Sequence, residues 1–145
     1  MGQAREVMDR LTEALTTRTD PKVIGELFAE DAVAVTPDGG ELRGRDSIVE
    51  YWRQMTDMVP EARYESVHAY EVGDTAIDEG FYTGRNSGPI PLPTGESLPA
   101  TNKEIRIRGV DFAKVDAQGR IVDYRLYFDE MEFLGQLGLL PEDLQ

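Results

Sequence analysis

The chain contains no cysteine, a single histidine and a single tryptophan among 145 residues. Without Cys there is no disulfide, no thiolate metal site and no cysteine nucleophile. One His leaves a transition-metal site short of ligands, so no metal is expected. Basic residues are also scarce. Fifteen Lys and Arg against 28 Asp and Glu give a formal charge of −13, a surface that repels phosphate backbones and anionic lipid. Neither nucleic acid nor membrane is an expected partner. No apolar run approaches a membrane span, and no basic start with an apolar h-region opens the chain. These features point to a cytoplasmic protein. Phosphate-binding loops are missing too: Gly39-Gly40 and the Gly84–Gly88 stretch lack the strand-to-helix setting such loops need. No cofactor is expected.

What is present reads as one α+β domain over residues 1–145. Val7, Met8, Leu11 and Leu15 recur at helical spacing between Ala4 and Thr16. Asp20-Pro21 forms an N-cap with Pro at the first helical position, followed by Val23, Ile24, Leu27 and Phe28. Two helices this close pack as a hairpin. A short strand from Asp31 to Thr36 ends at the turn Pro37-Asp38-Gly39-Gly40, and a third helix opens at Gly44-Arg45-Asp46. Its buried stripe is Ile48, Trp52, Met55 and Val59. Strands follow at Tyr64–Val72, Thr75–Gly84, Glu104–Val115 and Ile121–Phe128, with a closing helix from Met131 to Leu140. Helices followed by an antiparallel meander predict a curved sheet with the helices on one face. Residues 85–100 hold four of the eight prolines, and two readings stay open for them: a lid over a pocket or a solvent-exposed hairpin loop.

Side chains alternate faces along a strand. On Glu104–Val115 one face carries Ile105, Ile107, Gly109, Asp111, Ala113 and Val115, so Asp111 is its only ionisable group. Lost hydration raises the pKa of such a carboxyl and suits it to proton transfer near neutral pH. The alternative is a structural Asp held by a backbone amide or an Arg. Glu79 joins Asp111 if Ile77 and Phe81 point inward, and two carboxylates in one apolar site divide into acid and base. Its alternative is a cross-strand pair with Arg106 or Arg108. His68, grouped with Tyr64, Ser66 and Tyr70, is a candidate proton shuttle or a hydrogen-bonded wall residue. Asp129 is a candidate acid or the N-cap of the closing helix.

Several strings resemble the nuclear transport factor 2-like superfamily, and within it the SnoaL-like polyketide cyclases and ester cyclases. They are Leu27-Phe28-Ala29-Glu30-Asp31-Ala32, Gly44-Arg45-Asp46-Ser47-Ile48, Tyr82-Thr83-Gly84, Pro93-Thr94-Gly95 and Tyr127-Phe128-Asp129 with Gln136-Leu137-Gly138-Leu139. The resemblance implies a cone-shaped, curved antiparallel sheet, an N-terminal helical hairpin and a third helix packed on the concave face. It implies a hydrophobic small-molecule ligand, and a homodimer formed through the outer sheet face at Phe112 and Tyr127. Val110-Asp111-Phe112-Ala113-Lys114-Val115-Asp116 is similar to the segment that carries the oxyanion-hole Asp of ketosteroid isomerases. Their general base would fall at Thr36, and the catalytic Asp of limonene-type epoxide hydrolases at Leu126. Neither residue supplies a carboxylate. The expected activity is cofactor-free acid–base chemistry (cyclase, isomerase or lyase) on a hydrophobic carbonyl or polyketide-like substrate. Its candidate residues are Asp111, His68, Glu79 and Asp129, with Thr36, Trp52, Phe81, Tyr124 and Leu126 as substrate contacts. The alternative is a ligand-binding or dimeric interaction module without catalysis.

Overall fold

The computed structural model describes residues 2–17 and 20–141. The elements run α1 (Gln3–Thr16), α2 (Pro21–Glu26), β1 (Phe28–Thr36), β2 (Gly40–Arg43), α3 (Arg45–Met58), β3 (Arg63–Val72), β4 (Thr75–Arg85), β5 (Ile90–Pro91), β6 (Ser97–Leu98), β7 (Glu104–Val115), β8 (Ile121–Phe128) and α4 (Glu130–Gln136). Six strands form one curved, unclosed sheet in the order β2-β1-β8-β7-β4-β3. Helices line its concave side, and the buried apolar residues of helices and sheet form one cluster.

Local chemistry explains where the helices begin. Asp20 accepts from the Lys22 amide at 2.9 Å and Pro21 needs no amide partner, so α2 starts there. Gly2 offers no capping side chain to α1. The carboxylate of Glu71, from β3, accepts instead from the Gly2 and Arg5 amides at 2.8 and 2.9 Å. Those bonds lower the Glu71 pKa, the one from the Arg5 amide most. Arg45 ties the start of α3 to β1 by donating twice to the Phe28 carbonyl, at 2.8 and 3.0 Å.

The sheet departs from a pure meander in two places. β1 lies parallel to β8, with Ala34 opposite Tyr124, because the intervening helices and strands carry the chain across the sheet. β2, which the sequence pattern missed, folds back on β1 as an edge strand after the Pro37–Gly39 turn. Residues 85–100 form the small β5–β6 hairpin rather than a lid. Asn86, fully buried, anchors it. Its amide donates to the Met58 and Gly88 carbonyls, and its Oδ1 accepts from the Thr101 amide and hydroxyl. The Asp57 carbonyl occupies the space a Cβ on Gly88 would need, so only glycine fits there. Among the described residues no helix is long and apolar enough to cross a membrane.

Candidate functional site

A cavity of about 110 Å³ opens on the concave side of the sheet. α1 contributes Thr12, Leu15 and Thr16, and α3 contributes Trp52 and Met55. The sheet supplies Tyr64, Gly80, Tyr82, Ile107, Gly109, Asp111, Tyr124, Leu126 and Phe128, and α4 adds Phe133. The wall is apolar and aromatic with few polar atoms, the composition of a small-molecule site.

Asp111 reaches this cavity because β7 alternates as its sequence predicts: Ile105, Ile107, Ala113 and Val115 on its face are buried and Asp111 is half-buried at the cavity wall, while Arg106, Arg108 and Lys114 face outward. Tyr124, 1% exposed, donates its hydroxyl proton to Asp111 Oδ2 at 2.6 Å. Burial drives the Asp111 pKa up to about 7. The Tyr124 bond and the Arg5 cation pull it down, and the negative charge of Asp78 pushes it up. Burial and the adjoining Asp111 charge also raise the pKa values of Tyr64 and Tyr124, so both phenols stay protonated. Burial alone does this for Tyr82.

Asp78 is the cross-strand partner of Asp111 in the β4–β7 register and shares its inward face. Arg5, buried on α1, neutralises it: Nη2 donates to Asp78 Oδ2 at 2.9 Å and lies 2.7 Å from Oδ1 in ion-pair contact. A carboxylate beside Asp111 was thus expected, but it is Asp78 and not Glu79. On β4 the inward face is Ala76, Asp78, Gly80 and Tyr82. Ile77, Glu79 and Phe81 point to the outer face, where the Arg106 and Arg108 guanidiniums lie 3.6 and 4.9 Å from the Phe81 ring. Cations covering the ring make an apolar outer residue tolerable, which the apolar pattern alone conceals. Phe81 and Glu79 are therefore both absent from the cavity wall. Glu79 is also not the partner of Arg106, which pairs with Glu65 at 2.8 Å.

His68 is likewise on the outer face, opposite Glu79 and stacked on Tyr70 at 5.7 Å between ring centroids. A β-bulge between Ser66 and His68 reverses the alternation, so Tyr64 points in while His68 and Tyr70 point out. Asp129 caps α4, accepting from the Glu132 amide at 3.1 Å, and does not line the cavity. Thr36 is buried but accepts from the Gly39 amide at 2.8 Å and stands outside the cavity wall. Trp52, Tyr124 and Leu126 do line it.

Three further polar atoms belong to cavity-lining residues, two of which went unmarked in the sequence. Trp52 Nε1 and the hydroxyls of Tyr64 and Tyr82 are buried with no hydrogen-bond partner among the described residues. Buried donors are almost always satisfied, so each unpaired one calls for an explanation. The available signal was Gly80, whose missing Cβ leaves room for the Tyr64 hydroxyl. Among the described residues no group of three or more His, Cys, Asp or Glu could hold a metal ion.

The family model for the SnoaL-like domain matches residues 8–124. The chain belongs to the SnoaL-like family. Solved structures agree on the fold. A candidate SnoaL-like polyketide cyclase from Jannaschia sp. CCS1 superposes with a TM-score of 0.81 at 16% identity, over 96% of this chain and 94% of the other. IdmH, a candidate polyketide cyclase from Streptomyces antibioticus, gives 0.74 at 23% identity, over 94% and 99%. A protein with a ketosteroid isomerase-like fold from Catenulispora acidiphila DSM 44928, solved with trimethylamine, gives 0.73 at 24%, over 95% of both chains. No curated protein matches this SnoaL-like chain.

Proposed function

We propose that this SnoaL-like protein is a cofactor-free acid–base enzyme acting on a hydrophobic carbonyl compound, with Asp111 as its proton carrier. One observation carries the reading: a half-buried carboxyl poised near neutrality on the wall of an apolar cavity, oriented by Tyr124. The Asp111 carboxylate takes a proton from the carbon next to the carbonyl. The carbonyl oxygen gains the negative charge as the enolate forms, and the Tyr64 hydroxyl, beside Asp111, donates to it. The proton on Asp111 then passes to another carbon of the conjugated enolate, giving an isomer, or the enolate carbon attacks a second carbonyl, closing a ring, and the alkoxide so formed takes the proton back from Asp111. His68, Glu79 and Asp129 take no part, since none lines the cavity.

Asp111→Asn keeps the size and the acceptor for Tyr124 but cannot take up a proton. It should cut turnover of an enolisable aryl ketone at least 100-fold, the typical scale of acid–base catalysis, while leaving its Kd within a few-fold. Wild-type turnover should rise with pH through about 7, as the carboxylate forms. Turnover that survives the substitution rejects Asp111 as the proton carrier and favours a ligand-binding module.

A second reading has its own support. Trp52, Tyr64, Tyr82, Tyr124, Phe128 and Phe133 surround one carboxylate, a setting that suits a small tertiary amine through cation–π contact. Trimethylamine tighter than acetophenone by calorimetry, with the difference lost in Asp111→Asn, would select it. We also propose a homodimer through the outer sheet face, supported by exposed Tyr70 (53%) and Tyr127 (48%) and by the edge-on pairing of Phe112 with Tyr127.

A further inference from the structure

Asp78 and Asp111 are Cα partners in the antiparallel β4–β7 ladder and share the inward face. Side chains so paired have Cβ atoms about 4.5–5.5 Å apart. Two carboxyls this close in an apolar setting do not ionise together without help, and one keeps its proton. Their partners differ in kind. Asp111 is half-buried at the cavity wall and accepts from a neutral phenol, Tyr124. Asp78, 4% exposed, meets a guanidinium: Arg5 Nη2 lies 2.7 Å from its Oδ1 and donates to its Oδ2 at 2.9 Å. A cation in contact favours the ionised form more than a neutral donor does. Neither Arg5 nor Asp78 lines the cavity, so both reach its chemistry only through Asp111.

Arg5 is held for this placement. Its Nη1 donates to the Tyr70 carbonyl at 3.2 Å, and its Nε and Nη2 donate to Asp9 Oδ1 at 3.1 and 2.8 Å. Its amide donates to Glu71 at 2.9 Å, which fixes the first turn of α1 against the edge strand β3. A buried ion pair rarely adds stability over an apolar pair of similar size, so packing alone gives little reason for charges here.

We propose that Arg5 and Asp78 are positioning residues for Asp111: Arg5 fixes the negative charge on Asp78, and that charge leaves Asp111 as the member of the pair that takes up and releases the proton. The chemical use of the proton rests on the function proposed above; the division of charge between the two acids does not. The other titratable groups on the elements around the pair are Asp9 on α1, Glu71 and Tyr64 on β3, Tyr82 on β4, Tyr124 on β8 and Tyr51 on α3. Burial raises the pKa of all four phenols, so none changes charge where Asp111 titrates. Asp9 and Glu71 contact Arg5, at its guanidinium and its amide.

Carbon-13 NMR of the aspartate carboxyls in the unliganded protein reads this division without requiring turnover. The two signals are assigned by their loss in Asp111→Asn and Asp78→Asn. In the wild type Asp111 should titrate at about pH 7, and Asp78 should already be ionised there. Asp78→Asn keeps the shape and leaves the Arg5 cation with Asp9, so it should fold. Its Asp111 midpoint should drop by about one pH unit or more, because the opposing charge is gone and the cation remains. Arg5→Met/Asp78→Asn removes both charges. Its midpoint should lie between those of Asp78→Asn and the wild type, since Asp78 acts on Asp111 more strongly than Arg5 does. A pair that serves only structure would change the denaturation midpoint and leave the Asp111 titration in place, which overturns the proposal. So does an Asp78 that titrates together with Asp111 or after it. Turnover of an enolisable aryl ketone should follow the same three midpoints. NMR midpoints that move while the rate profile stays put keep the charge pairing and reject Asp111 as the proton carrier.

Discussion

Asp111 carries a folding cost as well as a chemical role. A carboxyl whose pKa stands at about 7 when folded, against about 3.9 in an unfolded chain, binds its proton more tightly in the native state. Between those values the native protein holds more protons than the unfolded chain, so stability falls as pH rises through that window. Above pH 7 the full penalty applies, up to about 4 kcal/mol. Asp111→Asn should therefore be more stable than the wild type at pH 8, with the difference shrinking toward pH 4. Urea denaturation at both pH values measures it. A difference independent of pH would mean that the gain comes from packing, not from relief of a buried charge. Three groups around Asp111 set this balance together: Tyr124 and Arg5 favour the carboxylate, while Asp78 opposes it. Tyr64, which stays a neutral phenol, gains no charge to alter it.

At the scale of elements, strong periodicity was legible and relative orientation was not. β7 and β8 span the residues their patterns marked, and Asp111 falls on the inward face for the reason the alternation gives. The two faces of β4 were harder to rank. Ile77 and Phe81 look more apolar than Asp78 and Gly80, yet the latter pair faces in, because Arg5 arrives from α1 to neutralise Asp78 and Tyr64 fills the space above Gly80. Arg5 is far from β4 in sequence, and Tyr64 reaches Gly80 only through the β3–β4 pairing. His68 escaped for a similar reason, since a single bulge reverses the faces of β3. The β5–β6 hairpin was legible as irregular chain but not as anchored chain. Its anchor, Asn86, meets all four of its hydrogen-bonding capacities inside the protein. Asn86→Ala should cost about 2–4 kcal/mol by stranding the Met58 and Gly88 carbonyls and the Thr101 amide. Since no residue of the hairpin lines the cavity, the folded fraction should bind acetophenone with unchanged affinity. Denaturant titration and calorimetry on the one variant separate the two effects. Weakened binding per folded molecule would restore the lid reading.

The whole molecule carries −13 charges, and that sets the conditions for the proposed dimer. Two such copies repel each other at long range, and salt screens that repulsion over about 10 Å at 0.1 M. The outer face itself is locally mixed: Arg106, Arg108, Lys114 and Arg125 lie among Glu65, Glu79 and Asp123. Apolar surface from Tyr70, Val72, Phe112 and Tyr127 must then supply the attraction, and salt strengthens apolar burial or leaves it unaffected. Association should therefore tighten as ionic strength rises from about 0.02 to about 0.3 M, where the Debye length falls from tens of ångströms to a few. Light scattering would read a mass near twice 16.2 kDa for the wild type and near one copy for Tyr70→Glu/Tyr127→Glu. The double variant places like charges opposite themselves across a twofold interface, where each patch meets its own copy. Dimerisation that weakens with salt would assign the attraction to the cations of the face, and a monomeric wild type at every salt concentration would remove the dimer altogether. Ligand binding should be the same in both variants, because the cavity opens on the opposite side of the sheet from Tyr70 and Tyr127.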